Sequence, residues 1–296
     1  MQYSSRERVI NLPSGDLRMS ITDACNLCCR YCHNEGQIKD NHFMHLDDIE
    51  RIVRRAIPHG VWKVRLTGGE PLLHPHLKQI CQIIHSFPQI KELGINTNAT
   101  NGDVLVDLSA NNLIDKIVIG LDTITGSRSK ESFVGISPQE VCEFIDKLRN
   151  YKVAIEIDSV FCGDRLGCLE LINYFIKREI RVKIIEEANG NHKYDNTSFN
   201  ELVDDVADAF SLRKVYDIFL MQYSLYEGER NCVSFYQSHC DRKECHVCRY
   251  MHMRVDCHGF AKPCIYSPAM YDLKEDDFDS IFNMAIFNLG KSAIRH

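Results

Sequence analysis

Short runs rich in β-branched residues recur along the chain as far as residue 185, each followed by a stretch with helical spacing. The runs are Arg18–Thr22, Lys63–Leu66, Glu92–Thr97, Lys116–Leu121, Ala154–Val160 and Arg181–Ile185, and their length and composition predict strands. After the first of them, Ile49, Ile52, Val53, Ala56 and Ile57 repeat at helical intervals. Ser137-Pro138-Gln139-Glu140 has the form of a capping box with proline at the first helical position. It introduces Val141, Phe144, Ile145 and Leu148 on one face. A strand–helix unit repeated about six times implies an α/β fold with a parallel sheet and right-handed crossovers. Six units are too few for the usual eight-stranded barrel, so the expected architecture is an open or partial (β/α)6 barrel, with its chemistry at the C-terminal ends of the strands.

A further helix is predicted from Ser198 to about Phe210, and beyond it the alternation stops. Residues from about 215 to 268 read as short strands, loops and cysteines, followed by a final helix near Asp276–Leu289. This shift predicts two domains, a barrel over residues 1–212 and a cysteine-rich module with a closing helix over residues 213–296.

The bulk composition excludes more than it specifies. The 296 residues are 44% apolar and 26% charged, ordinary for a globular protein. A formal net charge of -6 argues against nucleic acid as a main partner, because phosphate binding needs a basic face. Met1–Ile10 lacks the apolar core of a signal peptide, and no stretch approaches the apolar length that spans a bilayer. A cytosolic protein with no membrane partner is expected.

Fourteen cysteines change the picture, since disulfides explain them poorly in a reducing compartment. Four lie within Cys25–Cys32 and six within Cys232–Cys264. Cys81, Cys142, Cys162 and Cys168 are scattered and read as small buried hydrophobes. The first cluster allows two triplets, Cys25, Cys29 and Cys32 or Cys25, Cys28 and Cys32, and either puts three thiolates on one tight loop after the first strand. Three ligands hold a cubane 4Fe–4S cluster while leaving one iron without a protein ligand. A zinc knuckle is the competing reading, with His33 as a fourth ligand.

Leu17-Arg18-Met19-Ser20-Ile21-Thr22-Asp23-Ala24-Cys25, leading into Tyr31-Cys32-His33-Asn34-Glu35-Gly36, resembles the radical S-adenosylmethionine (SAM) superfamily. Within it the segment is most similar to the GTP 3′,8-cyclases of molybdenum-cofactor biosynthesis and their relatives. The resemblance implies that Cys25, Cys29 and Cys32 bind the cluster, that Cys28 does not, and that Tyr31 lies against the adenine of SAM. It implies further SAM contacts at the Gly68-Gly69-Glu70 turn, where glycines admit the backbone and a carboxylate takes the ammonium, and at Thr97 in Asn96-Thr97-Asn98. Lys183 falls where the family places an arginine for the SAM carboxylate and would act there as a point charge.

Cys245 and Cys248, with Cys264 after fifteen intervening residues, resemble the family's twitch-type auxiliary-cluster module, with Cys240 as a possible fourth ligand. Two 4Fe–4S clusters and SAM are therefore the implied cofactors, and a flavodoxin or ferredoxin the implied electron donor. A zinc ribbon completed by Cys232, Cys240 and Cys257 is the alternative.

The likeness to the cyclases then fails at particular positions. The cyclases follow their second auxiliary cysteine with Asn-Arg-x-Arg, whereas Cys248 is followed by Arg249-Tyr250-Met251-His252-Met253-Arg254. Where the cyclase strand presents a triphosphate-binding lysine, this chain reads Ile155-Glu156-Ile157-Asp158, and of the cyclase substrate positions only Arg18 is kept. Two carboxylates pointing into the barrel would repel a triphosphate and attract a cation or a hydroxyl-rich molecule, unless Glu156 and Asp158 pair with neighbouring lysines. The expected activity is hydrogen abstraction from a small polar substrate (a sugar, nucleoside or cyclitol), with Arg18, Glu156 and Asp158 as candidate catalytic residues. Peptide maturation is the first alternative, disfavoured because only 24 residues precede Cys25 where a recognition domain of roughly eighty is common. A true GTP 3′,8-cyclase is the second.

Overall fold

The computed structural model describes residues 9–29, 31–124, 137–187, 196–218, 223–228, 232–237, 252–265, 268–275 and 277–289. The chain divides into two compact units, the first comprising Met1–Cys25, His33–Ile95 and Lys243–His296, the second Asn26–Cys32 and Asn96–Arg242.

The first unit is built on β1 (Asp16–Ser20), α1 (Leu46–Ala56), β2 (Lys63–Thr67), α2 (Leu77–His85) and β3 (Glu92–Thr97, whose last two residues belong to the second unit). β1, β2 and β3 run parallel in sequential order, as short strands with helical crossovers must. The helices cover the sheet with the predicted periodic residues. In α1, Ile49, Ile52, Val53 and Ala56 are fully buried, while acidic residues occupy its first turn and Arg54 and Arg55 its last, complementing the helix dipole. A second strand neighbour of β1 comes from late in the chain: β10 (Met253–Val255) pairs with it in parallel, setting Arg254 opposite Arg18. β11 (Phe260–Lys262) and β12 (Tyr271–Asp272) continue the sheet antiparallel, and α7 (Phe278–Phe287) closes the unit with Phe278 and Phe282 buried.

The second unit repeats the strand–helix alternation with α3 (Gly102–Ala110), β4 (Lys116–Gly120), α4 (Pro138–Leu148), β5 (Ala154–Phe161), α5 (Arg165–Ile176), β6 (Arg181–Glu186) and α6 (Asn196–Ala209). The capping box forms as predicted: Ser137 Oγ accepts from the Glu140 amide, and Glu140 accepts from the Ser137 amide. Val141, Ile145 and Leu148 are buried. Phe144 is half-buried against Gly102, where any side chain would collide with its ring. β4, β5 and β6 are parallel, and β9 (Cys232–Tyr236) adds a further parallel strand beside β6. β8 (Tyr223–Glu227) and β7 (Arg213–Ile218) extend this edge antiparallel.

Of the scattered cysteines, Cys81, Cys142 and Cys168 are buried and Cys162 is half-buried. Burial pushes the Cys81 and Cys168 thiols up to about 12, so neither supplies a thiolate near neutral pH.

Candidate functional site

The chain leaves β1 through Ile21–Ala24 and enters the cysteine loop at Cys25. Asp23 fixes this exit, because its buried carboxylate accepts from the backbone amides of Asn41 (3.1 Å), His42 (2.5 Å) and Asp40. Burial works against its ionisation, but these three donors outweigh it and hold the carboxyl below its usual range. Thr22 completes the staple, donating to the His42 carbonyl at 2.7 Å and accepting from the Ala24 amide at 3.0 Å. Nothing in the hydropathy pattern distinguishes Asp23 from a solvated loop residue.

Cys25 and Cys29 are half-buried, Cys28 and Cys32 are exposed, and none is in a disulfide. The Cys32 amide donates to the Cys29 carbonyl at 3.1 Å, closing a tight turn. Among the described residues no three His, Cys, Asp or Glu side chains are already gathered as a metal cage. The donor set itself fits a cubane cluster: soft thiolates at C-x3-C-x2-C spacing on one short loop.

The Gly68-Gly69-Glu70 turn follows β2 and lies against the exit from β1. The Gly69 and Glu70 amides donate to the Thr22 and Ala24 carbonyls, each at 2.7 Å. A Cβ on Gly68 would collide with the Thr22 carbonyl oxygen, and one on Gly69 with that of Ala24. Both glycines are thus required by backbone packing alone, whatever they offer a ligand. Glu70 is buried, and its Oε1 accepts from the Leu72 amide at 2.9 Å at the start of a short 3-10 turn. Thr97, also buried, accepts from the Ala99 amide at 2.9 Å, shaping the turn after β3 where Ala99 adopts φ 56°.

Tyr31 makes a contact the sequence did not announce. Its hydroxyl donates to Asp122 Oδ2, just beyond β4, while Asp122 Oδ1 accepts from the Val160 amide of β5 at 2.8 Å. Burial first, and then the Asp122 charge, raise the phenol well above its ordinary value, so Tyr31 stays a donor.

The three candidate catalytic residues fall into two ion-pair sets. Arg18 Nη2 lies 2.5 Å from Glu35 Oε1, and Arg254 Nε lies 3.4 Å from Glu35 Oε2. Thr67 donates to Glu35 Oε1 at 3.3 Å. Burial alone would raise the Glu35 carboxyl; Arg18, then His33 and Arg254, bring it to about 2 instead. Glu156 and Asp158 occur on β5 with Lys116 of β4 and Lys183 of β6 beside them. Lys116 Nζ is 2.5 Å from Glu156, and Lys183 Nζ is 2.7 Å from Asp158 and 3.8 Å from Glu156. Burial opposes ionisation of Glu156, but Lys183 and Lys116 together keep its carboxyl below the usual range. Glu156 also lines a cavity of about 650 Å³ with Lys116, Arg181, Glu227 and Cys232, at the N-terminal edge of β4–β6. Tyr31 and Asp122 mark the other, C-terminal end of these strands. Lys183, read from the sequence as a SAM ligand, is therefore seated on two carboxylates here.

Cys240, Cys245 and Cys248 lie outside the described residues. Cys264 is buried beyond β11. Cys257 is buried in the β10–β11 hairpin, where desolvation, and then Asp23, Asp256 and Asp40, push its thiol up to about 12. Cys232, at the start of β9, accepts from Arg181 Nε at 3.2 Å.

Comparison with known proteins gives this arrangement a family. The profile of the radical SAM superfamily matches residues 19–161. A GTP 3′,8-cyclase of Clostridium perfringens (strain SM101) is 31% identical over 268 residues, covering 84% of this chain and 80% of that protein. A probable GTP 3′,8-cyclase of Pyrococcus horikoshii is 42% identical over 185 residues, 57% of this chain and 58% of that protein. Among solved structures, Streptococcus suis SuiB bound to S-adenosylmethionine matches with a TM-score of 0.71 at 19% identity. That match covers 93% of this chain, which spans 66% of the SuiB chain. Native anSMEcpe with bound AdoMet matches with a TM-score of 0.68 at 16% identity, covering 93% of this chain and 82% of that one. These two show the shared α/β fold. Among the described residues no helix is long and apolar enough to cross a membrane. The chain belongs to the radical SAM superfamily, in the branch that contains the GTP 3′,8-cyclases, and it is an enzyme of a family that works with a 4Fe–4S cluster and SAM.

Proposed function

We propose that this enzyme abstracts hydrogen from a small polar substrate, such as a sugar, nucleoside or cyclitol, in cofactor or natural-product biosynthesis, and that it is not a GTP 3′,8-cyclase. When bound, the cluster and SAM supply a reducing electron and a 5′-deoxyadenosyl radical. Cys25, Cys29 and Cys32 would hold the cluster. Glu70 would accept the SAM ammonium, the Gly68–Gly69 backbone and Thr97 would line its path, and Tyr31, braced by Asp122, would lie against the adenine. Lys183 remains the candidate for the SAM carboxylate, a role in which it would exchange its ion pair with Asp158. Cys245, Cys248 and Cys264, with or without Cys240, would hold a second cluster, and a cytosolic flavodoxin or ferredoxin would deliver the electron.

One observation supports the substrate class above the rest. Lys116 and Lys183 are matched one to one by Glu156 and Asp158 on the strand where the cyclases present a triphosphate-binding lysine. A triphosphate carries roughly four negative charges and needs several converging cations in excess of local carboxylates. A paired acid–base face instead offers donors and acceptors to hydroxyl groups. The test incubates reduced enzyme with SAM and either candidate polar substrates or millimolar GTP. Accumulation of 5′-deoxyadenosine with a hydroxyl-rich substrate, and no cyclised pterin precursor with GTP, is expected. Turnover of GTP at ordinary rates overturns the reading.

A further inference from the structure

We propose that Asn26, Asn98 and Thr100 are positioning residues, a hydrogen-bonded clamp that fixes the cysteine loop against the turn after β3 and so sets how tightly the enzyme binds SAM. The inference goes beyond the functional reading above, and it rests on the placing there of the cluster on Cys25, Cys29 and Cys32 and of Thr97 beside SAM. The three side chains close a ring. Asn26 Nδ2 donates to Thr100 Oγ1 at 2.6 Å, that hydroxyl donates on to Asn98 Oδ1 at 2.7 Å, and Asn98 Nδ2 donates back to Asn26 Oδ1 at 2.9 Å. The Thr100 amide is a second donor to Asn98 Oδ1, at 3.0 Å. Each side-chain amide gives with its nitrogen and accepts with its oxygen, and flipping either one would set donor against donor.

The ring joins two segments whose spacing matters to a bound cofactor. Asn26 follows Cys25, and its other neighbour, Leu27, is only 7% exposed, so this stretch of loop is held by packing on one side and by the ring on the other. Asn98 and Thr100 flank Ala99, a fully buried residue at φ 56°, in the left-handed region that a residue with a Cβ rarely adopts. That bend brings both flanking side chains onto one partner, while Thr97 accepts from the Ala99 amide within the same turn. At the far end of the loop Tyr31 donates to Asp122, just beyond β4. The segment bearing Cys28 and Cys29 is therefore fastened at the C-terminal ends of both β3 and β4. Asn26 is exposed and Asn98 and Thr100 are half-buried, so water competes for each bond and the ring contributes little to global stability. It still restricts where the loop can go, and a loop ordered beforehand lowers the entropic cost of binding.

The experiment measures SAM binding by calorimetry in the full-length, anaerobically reconstituted protein, comparing wild type with Asn26→Ala, Asn98→Ala, their double variant, Thr100→Val and Thr100→Ser. Asn26→Ala, Asn98→Ala and Thr100→Val each open the same ring and should each weaken SAM binding by about fivefold, with iron content unchanged. The double variant should lose no more than either single one, whereas independent sites would multiply their factors. Thr100→Ser keeps the hydroxyl and should bind like wild type. Without SAM, hydrogen exchange across the cysteine loop should be faster in Asn26→Ala than in wild type. A purely structural role would lower the melting temperature and leave the affinity of the folded protein untouched; here the melting temperature should fall by no more than about 3 °C. If Asn26→Ala does not fold, Thr100→Val, which exchanges a hydroxyl for a methyl at nearly equal volume, is read in its place. Wild-type affinity in the ring-opened variants, or losses that multiply in the double variant, overturn the inference while the cofactor site stands. A wild type that takes up iron but binds no SAM removes the reading on which the clamp depends, and the clamp with it.

Discussion

Glu35 in the first unit and Glu156 in the second are both buried carboxylates with a cation on either side, yet the structures around them differ in kind. Glu35 is carried on a loop with left-handed backbone and sits between arginines, which remain charged at any working pH and whose side chains are 12–16% exposed. Glu156 rides on a regular strand, and its lysines are 25% and 22% exposed on flexible stems that can reach water. The first is a fixed assembly, in which Thr67 and two largely buried guanidiniums hold the carboxylate. The second is a ladder whose lysines a ligand could recruit at modest expense. A polar ligand is therefore expected to compete for the lysines of β4 and β6 more readily than for the arginines beside Glu35.

The largest effect is expected at the cysteine loop. Serine at Cys25, Cys29 or Cys32 should reduce SAM cleavage by several orders of magnitude, since two thiolates do not hold a cubane securely. Serine at the exposed Cys28 should leave it largely intact. 5′-Deoxyadenosine production and iron content, about eight irons per chain if both clusters form, provide the measurement. Inactivation by Cys28→Ser with activity surviving Cys29→Ser would reverse the ligand register.

Next in size is the difference between the two carboxylates themselves. Removing Glu35 leaves two buried guanidiniums without their shared counter-ion, a change of about 3–5 kcal/mol by analogy with other broken buried pairs. Removing Glu156 should cost roughly 1–2 kcal/mol, because Lys116 and Lys183 can turn to solvent and Lys183 keeps Asp158. Denaturant titrations of Glu35→Gln and Glu156→Gln should give that order. The gap should also depend on pH. Glu35 titrates near 2 when folded against an ordinary value of 4.5, so its stabilisation is full above about pH 4.5 and disappears as pH falls toward 2. Equal losses for the two variants at pH 7 would erase the distinction between fixed and adaptable pairs.

The same contrast separates what the sequence reveals from what it hides. Periodicity located all six barrel strands to within two residues at each end, because alternation and helical spacing are local and repeat. The Glu156–Lys116 and Asp158–Lys183 pairs were foreseeable as the bland alternative to a substrate role, since same-face residues on neighbouring parallel strands meet once register is known. Glu35 was not foreseeable: its partners are seventeen residues back and in a strand near residue 254, and a backbone excursion that no propensity encodes delivers it. Asp23 and Asp122 escaped for a related reason, since each serves backbone amides or a phenol across a loop. The glycine turn was found for one reason and is needed for a second. The sequence suggested room for SAM, and the fold adds that Gly68 and Gly69 touch the carbonyls leading into the cysteine loop.

A third test concerns that turn. Glu70→Ala should weaken SAM binding by about 1.5–3 kcal/mol, the size of a charge-assisted hydrogen bond, with iron content unchanged. Loss of its bond to the Leu72 amide should add about 1 kcal/mol of destabilisation, as for other caps. Calorimetric titration with SAM separates the two, and wild-type affinity in the variant would remove Glu70 from the SAM site.

The smallest effect is expected from Tyr31→Phe, which deletes one hydroxyl from a chain of two hydrogen bonds. Asp122 would lose the phenol at Oδ2 but keep the Val160 amide at Oδ1, so the carboxylate stays anchored and the loss should be about 0.5–1.5 kcal/mol. Because burial and the Asp122 charge raise the phenol in the folded protein, its contribution is complete below the ordinary tyrosine value of 10 and is lost only as pH rises beyond it. The stability difference between wild type and Tyr31→Phe should therefore be flat from pH 6 to 9 and shrink above 10. The ring itself remains, so SAM binding should fall by no more than a few-fold if Tyr31 meets adenine through its face and not its hydroxyl. A difference that already changes between pH 6 and 8 would show that another group titrates at this contact, and that Tyr31 is not the donor that braces Asp122.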